Sequence, residues 1–448
     1  KVENEDKNEV DEVQKYLQIN ANNSLESVST FWKTNNISYE EKIDLSNLKN
    51  KIWILTINYS STLLTSILDW INYLASYPYW CSEQVTSAIM PNIYIKKLYN
   101  TLDKEFDLSS KMVDYWDSAE YWYLQKSIDD LIKEYIVNIR KFQNLDWWFV
   151  YFNDISWTNF SNFSLTSYIL ESASEIKSIW YSLEDSIYFD SIDYLKTRFY
   201  ENKIEWCIIS ENRDCKYSEI DRLKSIGAIL SYTPNDYEAY KMWKLLDFKN
   251  TNNSLELEKA KVISSLLKLT WLSSEEKEIL SSHAQDIVNK ILNEELVFNP
   301  KWAYLWKNTY YSRLENTSLL LEVVSNIWLS NFENISSIID NINRWLISQK
   351  ENWSFGSTQD NILVIKAITK YLEASGELDD VKNFTKIKLN NNIVDEKNFS
   401  SENNLEVYTK ELDLNTLKDN NTFWIEKAWD WTIYYDLTLN YFKEVEEQ

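Results

Sequence analysis

Glycine is nearly missing from this chain. An average share of about 7% would give roughly 31 glycines at this length, whereas the 448 residues hold 3 glycines and 21 tryptophans. A folded protein needs some backbone at positive φ, where a bulky side chain is an outlier, so another residue must fill those places. Histidine occurs once, as His283, and cysteine three times. No metal centre and no cofactor is expected from this inventory. Positive charge is outweighed, leaving a net charge of -23, which repels phosphate backbones and anionic lipid and argues against nucleic acid and membrane surfaces as partners. Long apolar runs are absent too. None reaches the ~18 residues of a membrane helix, and the best candidate, "IWILTINYSSTLLTSIL", is broken by Asn, Tyr, Ser and Thr. The opening "KVENEDKNEV" has neither a starting Met nor the basic-then-apolar pattern of a signal peptide, so it reads as a piece of something longer.

What is present suits a large core. With 44% hydrophobic residues, the length fits two or three domains or one large helical toroid. From about 45 to 65 the runs are strand-like. From about 66 to 380, segments such as "SIDDLIKEYIVNIRKF", "SLTSYILESASEIKSI", "LEKAKVISSLLKL", "SLLLEVVSNI" and "NILVIKAITKYLEA" repeat apolar residues at spacings of three and four, as a helical-hairpin array does. Beyond about 382 the alternation returns to period two, as in "NNLEVYTKELDL". A helical block is therefore expected inside a β domain. Its aromatic and aliphatic residues read as core and its acids as mostly solvated faces. The segment from about 201 to 255 reads as a long excursion.

The tryptophans fall where glycines belong. "SIWYSLED", "LTWLSSEE" and "NIWLSNFE" each place Trp180, Trp271 or Trp328 at the end of a helical run, followed by a Ser-x-x-acid capping box at Ser182, Ser273 or Ser330. The Trp then occupies the left-handed position that glycine favours. "YLEASGELDD" has the same character with a genuine Gly376. Trp147 beside Trp148, and Trp429 near Trp431, also sit at bends. Most of these tryptophans are read as glycines in the living protein, since some bacterial lineages decode UGA as glycine. The alternative is a truly Trp-rich protein with aromatic platforms. A UGG codon at Trp80, Trp147 or Trp148 would sink the recoding.

Cys207 and Cys215 are close enough to close a small loop as a disulfide, or to remain two free thiols. Cys81 is the odd thiol. It precedes the helix-like "SEQVTSAIM", where residues three apart share a face, so its sulfur and the Gln84 carboxamide carbon can approach. A helix N-terminus is expected to lower the thiol pKa. Attack of the thiolate on the amide would expel ammonia and leave an internal thioester. On spacing alone, a buried structural Cys is the better reading.

With Trp80 read as glycine, "YPYWCSEQVTSAIMPN" resembles the thioester signature of the alpha-2-macroglobulin and complement family, particularly its bacterial members. Tyr77, Pro78, Tyr79, Cys81, Glu83, Gln84, Thr86, Ser87 and Pro91 carry the match. "QNLDWWFVYF", "GSTQDNILVIKAI" and "WDWTIYYDLTLNYF" look like three further motifs of that family. The resemblance implies a mainly α fold, with an α/α toroid thioester domain inserted in a small CUB-like β-sandwich. Its boundaries would be 1–65 for a linker and the first CUB-like part, 66–381 for the toroid, and 382–448 for the second CUB-like part. It further implies an extracytoplasmic, non-enzymatic inhibitor that traps proteases covalently once a bait elsewhere is cut, together with further macroglobulin domains of the parent chain. Tyr77 and Tyr79 become candidates for shielding the bond. His283 lies too late in the chain for the histidine that assists hydroxyl transfer in complement members, so lysine amines are the expected nucleophiles. Two other readings remain: a carbohydrate-active enzyme on an α/α toroid, with acid and base carboxylates, and a degenerate thioester domain that only binds.

Overall fold

A computed structural model describes residues 2–3, 10–11, 23–34, 36–46, 52–63, 81–101, 112–117, 122–144, 149–152, 162–202, 217–246, 253–293, 312–327, 335–349, 357–378, 383–400, 403–404, 406–412, 417–428 and 431–444. Tyr77, Pro78, Tyr79, Trp80, Trp147, Trp148, Cys207, Cys215, Trp328 and Trp429 lie outside these residues. The chain is mainly α with a small β part, and it divides into two compact units.

One unit comprises Lys1–Tyr59, Asn383–Asn398 and Val407–Gln448. Apart from a short pairing of β1 (Val2–Glu3) with β2 (Val10–Asp11), it holds β3 (Asn23–Thr34), β4 (Ser38–Asp44), β5 (Ile52–Ser60), β8 (Asn383–Leu389), β9 (Asn392–Phe399), β10 (Tyr408–Leu412), β11 (Asn420–Lys427) and β12 (Ile433–Glu444). Two four-stranded sheets result, in the orders β10-β5-β12-β3 and β4-β11-β8-β9. Alternation along β8 and β11 buries every second side chain, the pattern of a sheet with one dry face. The two sheets stack as a sandwich. Phe423 of β11 meets Tyr435 of β12 at 5.3 Å, the Tyr435 hydroxyl donates to Glu41 Oε2 of β4 at 2.7 Å, and Tyr59 of β5 donates to Asp395 of β9 at 2.9 Å. The β8 to β9 turn puts Asn390 at φ 51 and Asn391 at φ 69, the two left-handed residues a tight hairpin demands.

The other unit, Ser60–Lys382 with Phe399–Glu406, is helical: α1 (Ser82–Thr101), α2 (Ile128–Asn138), α3 (Phe163–Ser178), α4 (Asp185–Glu201), α5 (Glu219–Tyr232), α6 (Tyr237–Lys244), α7 (Asn253–Leu266), α8 (Ser274–Asn293), α9 (Arg313–Ile327), α10 (Ile335–Ser348) and α11 (Thr358–Ser375). A hairpin of β6 (Met112–Asp117) and β7 (Trp122–Ser127) precedes α2. The odd-numbered helices pack each on the next, and α11 packs back on α1, closing a ring; each of α2, α4, α6, α8 and α10 packs outside its predecessor. This is an α/α toroid. The segment expected as an excursion instead supplies ring helix α5 and outer helix α6, with Pro234 harmlessly in the turn between them.

Inner helices touch at matching ends. Ser164 at the start of α3 donates to Asp221 in the first turn of α5, and Ser312 ahead of α9 donates to Asp360 in the first turn of α11. Near the opposite ends, Lys97 of α1 meets Glu175 of α3 at 2.6 Å, and Ser174 of α3 donates to the Ser231 carbonyl of α5 at 2.6 Å. Lys268, just beyond α7, faces Lys370 and Lys97. The inner helices are therefore parallel, with their N-termini on one face of the ring.

The ring interior holds the exceptions to the expectation of mostly solvated acids. Several acids are buried: Lys366 of α11 pairs with Glu171 of α3 and with Glu322 of α9 (3.0 Å), and Lys261 of α7 reaches Glu171 at 3.0 Å. A helix packed on all sides has no solvated face for its charges, so they are retained only as pairs. Burial alone would raise the Glu171 carboxyl, but Lys261 and Lys366 hold it well below the usual range, and Lys366 is correspondingly raised.

Five described residues other than glycine have positive φ: Asn202, Asn235, Asn390, Asn391 and Trp180. Asparagine thus fills part of the glycine deficit. Trp180 follows the C-cap of α3 at φ 74 with an indole 89% exposed, and Gly376 ends α11 at φ 71. Trp271 differs from expectation: α7 ends earlier, at Leu266, and Trp271 lies in the following turn without positive φ, edge-on to Tyr237 and Tyr240. The capping box at Ser273 forms with Glu276. The one at Ser182 does not, because Lys177 and Tyr232 engage the Asp185 carboxylate and α4 starts only at Asp185.

Candidate functional site

Cys81 stands just ahead of α1, on the face where the inner helices begin. Its carbonyl accepts the helix hydrogen bond from Val85 N–H at 2.9 Å, and its Sγ accepts from Gln84 N–H at 3.4 Å. The sulfur therefore caps the helix as a serine hydroxyl would, holding Cys81 and Gln84 on one turn. Cys81 is 6% exposed and Gln84 is half-buried. The expected lowering of the thiol pKa is overturned. Burial pushes the thiol up, the nearby Glu83 carboxylate adds to this, and the N–H groups of Gln84 and Glu83 offset only part of it. A thiol in this site stays protonated at neutral pH unless a base removes its proton.

Two distant segments fix this helix start. Phe149 and Val150 are buried, Phe149 bridges Gln143 in antiparallel fashion, and the carbonyls beyond them point at α1. Ser82 N–H donates to the Tyr151 carbonyl at 2.9 Å and Ser82 Oγ to the Val150 carbonyl at 2.7 Å. The second segment is the start of α11. Ser357 caps that helix in a box with Asp360, which places Thr358 with its Oγ1 3.5 Å from Glu83 Oε1. Glu83 also accepts from Ser87 Oγ at 2.8 Å, and Ser87 meets the Tyr168 hydroxyl of α3 at 2.8 Å. Thr86 bonds the Ser82 carbonyl and the Tyr135 hydroxyl of α2.

Three of the four segments singled out in the sequence thus meet here: "CSEQ", "FVYF" and "STQD". The fourth, "WDWTIYYDLTLNYF", lies in the β unit as β12. Tyr77, Pro78, Tyr79 and Trp80, candidates for shielding, and the Cys207 and Cys215 pair lie outside the described residues. His283 sits exposed on outer helix α8, where partial desolvation and Lys259 of α7 lower its pKa. Sequence reasoning missed Tyr151, whose ring is 40% exposed and whose phenol is raised by burial and by the charges of Glu83 and Cys81. Its signal was its place directly after the buried Phe149 and Val150. No cluster of metal-ligating side chains occurs among the described residues, and no described helix is long and apolar enough to cross a membrane.

No protein-family model and no curated protein matches the sequence. Solved structures do. Native alpha-2-macroglobulin from E. coli, seen by cryo-electron microscopy, matches with a TM-score of 0.55 at 11% identity, over 95% of this chain and 23% of that one. A crystal structure of the same E. coli protein from domain MG7 to the C-terminus matches with a TM-score of 0.55 at 11% identity, over 95% of this chain and 58% of that one. Salmonella alpha-2-macroglobulin reacted with methylamine gives 0.55 at 13% identity, over 95% of this chain and 24% of that one. This chain spans about a quarter of the two long chains and 58% of the shorter one. Over 95% of its length, the chain has the fold of the C-terminal region of bacterial alpha-2-macroglobulins.

Proposed function

We propose that Cys81 and Gln84 form an internal thioester, and that the chain is the thioester-bearing part of a bacterial alpha-2-macroglobulin-like protease trap. The observation that carries this is the cap geometry, with Cys81 Sγ accepting from the Gln84 backbone N–H at 3.4 Å, which holds both residues on one turn at the buried start of α1. In forming the bond, sulfur replaces the side-chain nitrogen of Gln84 and ammonia leaves; in spending it, an amine of the target replaces sulfur and the thiol is released. Each molecule reacts once, so it acts stoichiometrically rather than as an enzyme. The β unit serves as the CUB-like domain, with the toroid inserted between its parts. Target proteases are the partners, presented by bait and macroglobulin domains of the parent chain in an extracytoplasmic setting. That a Salmonella protein of this fold is described as reacted with methylamine agrees with amine attack.

Most tryptophans are glycine in the living protein by this reading, and the left-handed Trp180 supports it. Position 80 is then glycine, free of an indole beside the ring-closing turn. Thiol titration before and after methylamine tests the proposal, with Trp80 and Trp80→Gly chains compared. One new thiol after methylamine is expected. A thiol count that methylamine leaves unchanged, in a sample whose intact mass lacks no ammonia, rejects it.

A further inference from the structure

We propose that Glu83 is the proton-transfer group of this site, taking the proton of the incoming amine and delivering it to the departing Cys81 sulfur. This rests on the thioester reading above. Glu83 is a buried carboxyl, 8% exposed, between the two reacting residues in sequence. Its oxygens are held by neutral donors: Ser87 on its own helix, and Thr358 and Gln359 at the start of α11. Among the described residues, no lysine or arginine is one of the groups that shift it. The titratable groups facing it are Cys81 beside it, Tyr151 from the segment pinning α1, and Tyr168 of α3. Burial raises its carboxyl from the usual 4.5, and hydrogen bonds from Ser87, Thr358 and Gln359 pull back only part of this. The buried acids Glu171, Glu175 and Glu322 of the ring each meet a lysine. Glu83 is left able to change protonation state near the only described cysteine thiol.

The chemistry calls for one such group. As the C–N bond forms at the Gln84 carbonyl carbon and the C–S bond breaks, the nitrogen must lose a proton and the sulfur gains one. Glu83 carboxylate accepts the first and, as the acid, supplies the second, so charge and atoms balance with no outside reagent. Closure of the bond is the same reaction run backwards with ammonia as the amine: Glu83 takes the thiol proton and returns it to the leaving nitrogen. One residue thus serves the making and the spending of the bond, in a site whose own thiol is reluctant to ionise.

The test follows methylamine-driven thiol release from the whole chain across pH, as rate per free amine, in wild type, Glu83→Gln and Glu83→Asp, with melting and intact mass recorded. Wild type should rise through an inflection above pH 4.5 and level off. Glu83→Gln should be slower by on the order of 100-fold without that inflection, or should fail to close the bond while melting normally. Added acetate or Glu83→Asp should restore part of the lost closure or rate. A Glu83→Gln chain that closes and reacts at the wild-type rate with the wild-type inflection overturns the proposal, as does a loss that neither acetate nor Glu83→Asp repairs. A wild-type chain that never lost ammonia overturns the thioester reading itself, and this inference with it.

Discussion

Tyr151 and Gln84 show what single side chains decide at this site. The Tyr151 ring stands near Cys81 and Glu83, half open to solvent. Truncating it in Tyr151→Ala should admit water and shorten the life of the proposed thioester in amine-free buffer by about tenfold, the equivalent of ~1.4 kcal/mol of barrier. Timed thiol appearance measures this, and an unchanged half-life would remove Tyr151 from the shielding role. Gln84→Glu should leave Cys81 titratable from the first minute, because a carboxylate is no acyl donor to a thiol. Much of this site was legible: Cys81 and Gln84 at i and i+3, and the acid between them. The thiol's protonation was not, since a helix start argues for a low pKa and only the packed structure shows that burial outweighs it.

At the scale of elements, the ring is closed by charges as well as by apolar contact. Lys366 lies 6% exposed between acids from α3 and α9, so Lys366→Met should cost about 3–5 kcal/mol by removing the ion pair of Glu322 and leaving Glu171 to Lys261 alone, read as a fall in the urea midpoint. The pH dependence has a definite sign. Glu171 is held below its unfolded value, so its contribution is present above the ordinary carboxylate pKa and fades as pH falls through it towards the folded value. Stability should therefore start to drop as pH falls below about 5 and keep dropping towards the folded value, and less so in Lys366→Met; an equal acid slope in both chains would contradict the pairing. The ring helices were legible as helices from their spacing. Which of them lie inside was not, because α11 carries Lys366 and Thr369 among its buried residues and reads like a surface helix. The excursion around residue 230 failed for the same reason: α5 is polar at intervals yet buried nearly throughout.

At the scale of the whole molecule, the scarcity of glycine has two answers among the described residues. Asparagine takes the left-handed corners at residues 202, 235, 390 and 391, while residue 180 asks an exposed Trp to do so. Trp180→Gly should raise stability by about 1 kcal/mol through relief of that backbone, without touching the site; a neutral or destabilising outcome would weaken the recoding at this position. The fold's overall plan, a helical block between β segments, followed from the change of period along the chain. The stacking of the sheets in the β unit through Tyr435 on Glu41 and Tyr59 on Asp395 depended on pairings across hundreds of residues that no local pattern carries. What joins residue, ring and fold is the bond proposed between Cys81 and Gln84. High-resolution mass spectrometry of the peptide spanning residues 81–84, before and after methylamine, reads it most directly. The expected result is a peptide lighter by one ammonia, which methylamine converts to a methylamide on Gln84 with a free Cys81 thiol; a peptide of full mass that takes up no methylamine, from protein never exposed to amines or base, would contradict it.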